Sequence, residues 1–294
     1  MTSLLSRFLS HLALALMWLL HWLPLRVTRA CGAALGILLY LAIPQRRRIV
    51  MTNLRLCFPQ QDESWRRSVT RRHFIDFACT TLDRAYFWWS SRSRLERLIR
   101  LNGREYLRDS AGTPTILLVP HFVGLDAAGV VVSMATPAIS VYSRLKNPHF
   151  DARILAGRRR FNEPLLLSRQ DGMRRVLKAL KEGYPFFYLP DMDFGAKDAV
   201  FVPFFGVPAA TITGVSRLAR LSRARIVPCV ARMTGDGYDI TLMPPWDDYP
   251  GESLEADTCR MNNFIEAEVM KMPAQYLWSH KRFKTRPPGE KGVY

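Results

Sequence analysis

With 294 residues, 48% of them hydrophobic and 23% charged, the chain can bury a substantial core, which excludes an intrinsically disordered protein. Lys and Arg outnumber Asp and Glu 42 to 25, giving a net charge of +17, so the sequence calls for an acidic partner: nucleic acid, anionic lipid or an acidic protein. The five cysteines, Cys31, Cys57, Cys79, Cys229 and Cys259, form no C-x-x-C pair; this argues against a zinc cage or a disulfide framework and for reduced packing thiols facing the cytosol.

From Phe8 to Leu25 no Asp, Glu, Lys or Arg interrupts the chain, close to the roughly 20 residues that a bilayer-spanning helix needs. Trp18, Trp22 and two histidines in this run suit a membrane interface. A second uncharged stretch, Ala30 to Pro44, follows a basic break at Arg26 and Arg29 and leads into Arg46-Arg47-Arg48, placed to meet anionic headgroups. A removed signal and a buried core helix are the rival readings. The run is long for a signal, and Arg29-Ala30 before Cys31 does not suit a lipoprotein cleavage site. A retained membrane anchor over residues 1–45 is therefore expected, with one or both stretches entering the bilayer.

Residues 46–111 read as a helical, membrane-proximal part. Phe74, Phe77, Ala78, Leu82 and Ala85 recur at helical spacing with arginines on the other side, either a solvated face around a core helix or a face lying on a membrane. Trp88 and Trp89 fit either. Beyond residue 112 short apolar runs alternate with helical ones: strands over 115–120, 138–143, 185–190 and 225–233, helices over 172–183 and 210–223, a later strand and loop from Asp239, and a last long helix over 254–272. This alternation predicts an α/β domain over 112–294, a mostly parallel central sheet flanked by helices, with functional loops at the carboxyl ends of the strands.

One such end carries "ILLVPHFVGLDAAG", with His121 just past the strand, Gly124 to let the backbone turn, and Asp126 five positions on. A histidine acting as general base needs one ring nitrogen free and the other fixed by an acceptor, which a nearby carboxylate supplies. With six histidines and 25 carboxylates in the chain, about half of one such match arises by chance. A strand-end histidine bonded to backbone stands level with the catalytic reading on spacing and context alone. The chain has no G-x-S-x-G elbow ("GVSRL" at Gly214 lacks the last glycine), no Walker loop, no G-x-G-x-x-G and no H-E-x-x-H. Without an activated nucleophile, direct attack of a substrate hydroxyl on an activated acyl group is the simplest use of His121 and Asp126.

Three more stretches add candidates. Arg158, Arg159 and Arg160 suit phosphates or form a solvated charge run. Asp191 and Asp193 follow a strand and precede a Gly-rich, aromatic loop; their spacing fits no standard metal site, and the aromatics suit an acyl chain. "QYLWSHKRFKTRP" brings His280, Lys281, Arg282, Lys284 and Arg286, a basic tail able to hold phosphate or simply to be solvated.

Taken together, the amino-terminal anchor, "RRRIVMTNLRLCFP", "HFVGLD", "NPHFDARILAGRRRF", "GMRRVLKALKEGYPFFYLPDMDFG", "VFVPFFGVPAA" and "QYLWSHKRFKTRP" resemble, in order and spacing, the bacterial late acyltransferases of lipid A biosynthesis, the lauroyl/myristoyl acyltransferase family. The resemblance covers nearly the whole chain. It implies a glycerolipid-acyltransferase-like α/β fold and an enzyme on the cytoplasmic face of the inner membrane. That enzyme moves a fatty acyl group from acyl carrier protein to a hydroxyl of a hydroxyacyl chain on a Kdo-bearing lipid A precursor. No cofactor is implied beyond the carrier thioester, and no metal. The family's H-x-x-x-x-D/E motif falls on His121 and Asp126 as base and orienting carboxylate, its functional arginine on Arg158, and its aspartate-rich motif on Asp191 and Asp193, with Asp193 preferred. Arg159, His280 and Arg282 complete the expected substrate-binding set. Many relatives carry glutamate at the position of Asp126. The basic charge then meets acidic carrier protein, anionic inner-membrane lipid and the acceptor's phosphates, and no nucleic acid is expected. Transfer to another glycolipid or a lysophospholipid is the alternative, and a membrane-tethered binding protein without catalysis the reading from another class.

Overall fold

The computed structural model describes residues 4–108, 112–168 and 172–294. The boundary expected between residues 111 and 112 falls at residue 111, outside the described residues. Two apolar helices lead, α1 (Leu4–Leu20) and α2 (Leu25–Ala42). The uncharged run from Phe8 to Leu25 does not make one helix. Residues 21–23 turn, and Pro24, with no N–H to donate, caps the start of α2. Among the described residues one helix, Leu25–Ala42, is long and apolar enough to cross a membrane by length and composition, so that candidate includes Arg26 and Arg29.

Next come α3 (Pro44–Cys57) and the 27-residue α4 (Glu63–Trp89), whose N-cap Asp62 accepts from the Trp65 N–H at 2.7 Å. On α4, Phe74, Ala78 and Ala85 are buried as their spacing predicts, Leu82 is half-buried and Phe77 is exposed. α2 lies against α4 because two glycines permit it: a Cβ on Gly36 would stand 2.5 Å from Ile75 Cα, and one on Gly32 2.7 Å from Cys79 Cα. Arg29 then bonds Asp83 (Nη2–Oδ2 3.1 Å) and the carbonyl oxygens of Thr234 and Gly237, while the Tyr238 hydroxyl donates to the same carboxylate at 2.6 Å. The amino-terminal helices are therefore fastened to the body rather than joined to it only through the chain. Leu4, Phe8, Leu12, Leu16, Leu38 and Leu41 remain exposed on their outer side.

After α5 (Arg92–Leu98), residues expected to stay helical form β1 (Ile99–Asn102), which pairs in parallel with residues 238–241. The chain continues through α6 (Glu105–Arg108), β2 (Thr115–Leu118), α7 (Leu125–Ala135), β3 (Ile139–Tyr142), α8 (Pro148–Arg158), β4 (Leu165–Ser168), α9 (Met173–Lys181) and β5 (Phe186–Tyr188). It ends with β6 (Ala199–Phe204), β7 (Val207–Ile212), α10 (Gly214–Ser222), β8 (Arg225–Met233), β9 (Tyr238–Leu242) and α11 (Leu254–Lys271). The seven-stranded sheet has the order β1-β9-β8-β2-β5-β3-β4 and is parallel except for the β8–β9 hairpin, so the expected mixed α/β class with a mostly parallel sheet holds.

Two readings need correction. The helix expected from Ala210 begins only at Gly214, because Ala210 to Ile212 belong to β7 and pair with Ala199 to Phe201 of β6. The expected aromatic loop after Asp193 is the β6–β7 hairpin, and its Phe204 packs into the core beside Tyr276 and Phe283. Strand alternation divides the core: Ile116 and Leu118 of β2 face the side covered by α9, α10 and α11, and Leu117 with Val119 face α7 and the later half of α4. Met17 of α1 and the partly buried Phe150 and Ile154 of α8 pack on this second side.

Candidate active site

Strand register builds the centre of the site. β2 and β5 are parallel neighbours with Leu118 opposite Tyr188, so His121 and Asp191, each three residues further on, arrive side by side at the carboxyl edge. The Asp191 carboxylate accepts twice from His121, from the ring Nδ1–H at 2.6 Å and from the backbone N–H at 2.9 Å. Asp191 is fully buried. Burial opposes its charge, but His121, through charge and both bonds, and then Arg282 outweigh that and hold the carboxyl below its ordinary value. With Nδ1 engaged, Nε2 is the ring nitrogen left for the cavity that His121 lines.

The tail clamps this arrangement from behind. Leu277 N–H donates to His121 O at 2.9 Å, Val123 N–H donates to Gln275 O at 2.8 Å, and Phe122 bridges Tyr276. Arg282, expected on an open basic tail, is buried: its guanidinium donates to Ala210 O at 3.0 Å and Thr211 Oγ1 at 2.7 Å and lies over the Phe204 ring. Asp193 does not face His121. It accepts from Thr285 N–H at 2.6 Å, Thr285 Oγ1 at 2.8 Å and Gly195 N–H at 2.9 Å, and its own N–H donates to His280 Nε2 at 3.0 Å. His280 and Arg282 therefore stand behind the His121–Asp191 pair instead of lining the cavity.

Asp126 also departs from expectation. It sits in the first turn of α7 and accepts from Arg84 Nε of α4 at 2.6 Å, instead of curling back to His121. Burial raises its proton affinity, yet Arg84 and then Arg158 win, and its carboxyl titrates below the ordinary value. Gly124, at φ −76°, needs no left-handed backbone; it is small because a Cβ there would press on Ala231 O at 3.2 Å and Tyr238 Cδ1 at 3.3 Å. Arg158 reaches the cavity wall, Arg159 is exposed and off it, and Arg160 turns to the Phe87 and Ser90 carbonyl oxygens that end α4.

Among the described residues, His121, Arg84, Asp126 and Arg158 are the His, Arg and Asp side chains lining a cavity of about 620 Å³. The rest of its wall is mainly apolar, including Val130, Val141, Ile154, Phe186 and Leu189, and Ala138 and Ser143 both line it, so it follows β3 for about 16 Å at roughly 3.3 Å per strand residue. A charged end on a long apolar slot fits a lipid chain with a reactive head, and the volume lies within the about 300–1,000 Å³ usual for small-ligand sites.

A model of the family described as bacterial lipid A biosynthesis acyltransferase matches residues 2–285. The chain is 37% identical to the lipid A biosynthesis lauroyltransferase of Escherichia coli over 98% of its own length and 95% of that protein's. It is 30% identical to the palmitoleoyltransferase of the same organism over 98% and 94%. The chain belongs to the bacterial lipid A biosynthesis acyltransferase family. Against the myristoyltransferase of Escherichia coli it is 32% identical over 83% of this chain and 77% of that one. A 1-acyl-sn-glycerophosphate acyltransferase from Thermotoga maritima is similar with a TM-score of 0.40 and 12% identity, over 85% of this chain and 97% of that one, which adds nothing to the architecture described above.

In this lipid A acyltransferase, Arg84 and Tyr276 are site residues that sequence reasoning passed over. Arg84 lay in a helix full of arginines, and Tyr276, whose hydroxyl bonds Asp191, lay in the supposed phosphate-binding tail. His280 supplies a pH test of the clamp. Burial first, then His121 and Arg282, lower its pKa from 6.5 to about 4, and it is neutral when its Nε2 accepts from Asp193. Between those values the unfolded acyltransferase binds the proton and the folded one does not, so stability is full above pH 6.5 and is lost as pH falls toward 4. A shift of this size corresponds to roughly 3 kcal/mol, of which about 2 is lost by pH 5. In thermal melts at pH 7.5 and 5, His280→Gln should show a smaller loss on acidification than the wild type; an equal loss would mean that His280 ionises freely in the fold.

Proposed function

We propose that the protein transfers a fatty acyl chain from an acyl carrier protein thioester to a hydroxyl of a hydroxyacyl chain on a Kdo-bearing lipid A precursor, with His121 as general base held by Asp191. The observation that carries this reading is the double grip of Asp191 on His121 at the charged end of the apolar cavity. The acceptor O–H gives its proton to His121 Nε2 while its oxygen bonds the thioester carbonyl carbon. The resulting oxyanion benefits from the positive charge of Arg84 and Arg158 around the single carboxylate of Asp126. Collapse breaks the C–S bond, and the imidazolium returns the proton to the leaving sulfur, leaving a new ester and a free carrier thiol. No covalent enzyme intermediate is needed.

The outward apolar residues of α1 and α2, with exposed Arg46 and Arg48 beyond them, support attachment to the cytoplasmic face of the bacterial inner membrane and contact with anionic lipid. The reading is tested by mass spectrometry of lipid products after detergent-solubilised protein meets a Kdo-bearing tetra-acylated precursor and carrier proteins charged with several chain lengths. One added acyl mass supports it. Transfer to a lysophospholipid alone would keep the chemistry and discard this acceptor.

Gly129 lines the cavity from α7, and a Cβ on it meets no atom within 4 Å. A glycine inside a helix costs about 0.5–1 kcal/mol relative to alanine, so its small size here serves the cavity and not the helix. In the same assay Gly129→Phe should shift the preferred donor to shorter chains, since each buried methylene is worth about 0.8 kcal/mol. An unchanged chain profile from folded protein would place the acyl chain elsewhere.

A further inference from the structure

The mouth of the cavity lies at the carboxyl edge of the sheet, where Met173, just after β4, and Phe194, after β5, line it while staying 46% and 41% exposed. Met173 opens α9. This helix turns Val176, Ala179 and Leu180 into the core and leaves Arg174, Lys178 and Lys181 exposed at i, i+4 and i+7, one continuous basic stripe leading away from the mouth. Arg175 beside it is also exposed, and among the described residues of α9 and its caps the acid is Glu182, which pairs with Lys178 at 3.8 Å at the far end of the helix.

We propose that the exposed face of α9 is the docking surface for the acidic carrier protein, placing the carrier's prosthetic arm at Met173 so that the thioester enters the cavity toward His121. This rests on the carrier-dependent reading given above. Charge complementarity favours a soluble acidic protein over a lipid surface here. A membrane-binding face needs outward apolar side chains, and beyond Met173 the outward residues of α9 are basic. The exposed apolar residues of α1 and α2 provide such a face, and α1 packs on the opposite side of the sheet, with α7 and α8. The carrier thus meets α9, the lipid acceptor meets the exposed apolar residues of α1 and α2, and the two meet at one histidine.

The test compares wild type with the double variant Arg174→Glu/Lys181→Glu, using acyl carrier protein thioester and, separately, acyl-coenzyme A as a donor with the same reactive arm and no carrier protein. The double variant should raise KM for the carrier donor about tenfold, with kcat within about twofold, and the wild type's KM for that donor should climb with salt more steeply than the variant's. KM for acyl-coenzyme A should stay unchanged. An unchanged KM for the carrier donor overturns docking on α9. Equal loss with both donors, accompanied by weaker sedimentation with vesicles containing anionic lipid, assigns α9 to the membrane and also overturns it. If the wild type uses acyl-coenzyme A but no carrier thioester, the donor reading itself fails, which separates that failure from one confined to the docking surface.

Discussion

Replacing His121 by alanine should lower kcat by about 10² to 10⁴ while the protein melts near the wild-type temperature, because in the proposed mechanism the ring carries the proton transfer and its side chain supports little of the core. The imidazole is part-exposed at the cavity, and what anchors this loop is backbone: His121 O accepts from Leu277, and the His121 N–H reaches Asp191. Alanine keeps both. The check is initial rate on precursor and carrier thioester beside a melting curve. Near-normal turnover from folded His121→Ala would remove the general base from the mechanism and favour the binding-protein reading.

The second large effect separates two carboxylates. Asp191→Ala should cost about as much as His121→Ala, since the imidazole loses the acceptor that fixes its tautomer and the imidazolium loses its counter-charge. It also leaves the buried Arg282 without the negative charge of this carboxylate, so some stability should go with it; Asp191→Asn, which keeps the shape, isolates the electrostatic part. Asp126→Ala should behave differently. It frees Arg84, paired at 2.6 Å, and Arg158, so its main effect should be a higher KM, with a smaller fall in kcat. Arg84→Ala, which removes one of the positive charges facing the oxyanion, should lower kcat more than Asp126→Ala does. Were Asp126→Ala as damaging to kcat as His121→Ala, with Asp191→Asn near normal, the roles of the two aspartates would be the reverse of those in this geometry.

Much of this was legible from the sequence because buried strands and core helices advertise themselves. The stretch "RIVPCVARM" is β8 residue for residue, and "LEADTCRMNNFIEAEVMK" is α11 from its Ser253 cap onward. β1 was not legible: four residues continuing a helical pattern become a strand only because β9 offers an edge, a long-range partner that local periodicity cannot contain. The same holds for the site. Spacing ties His121 to Asp126 because they are close in sequence, whereas the partner in space is 70 residues away. A signal for it was present: "LLVPH" and "FYLPD" are matching strand ends, each closing on a proline followed by the functional residue, as two parallel neighbours in register would be. Arg282 and His280 were misplaced because charge is a poor guide once a guanidinium can be satisfied by a carbonyl and a hydroxyl of a hairpin.

The clamp by residues 275–285 also sets an order of events during synthesis. His121 leaves the ribosome long before Leu277, and at about 5–20 residues per second the interval is roughly 8–30 s. Throughout that time the apolar helices at the start of the chain have already emerged, while the histidine has neither Asp191 beneath it at first nor, until the end, the strap across its carbonyl. Under the proposed mechanism, the nascent chain presents its apolar helices well before the base is held, and the base is complete only when residues 275–285 close the back of the site.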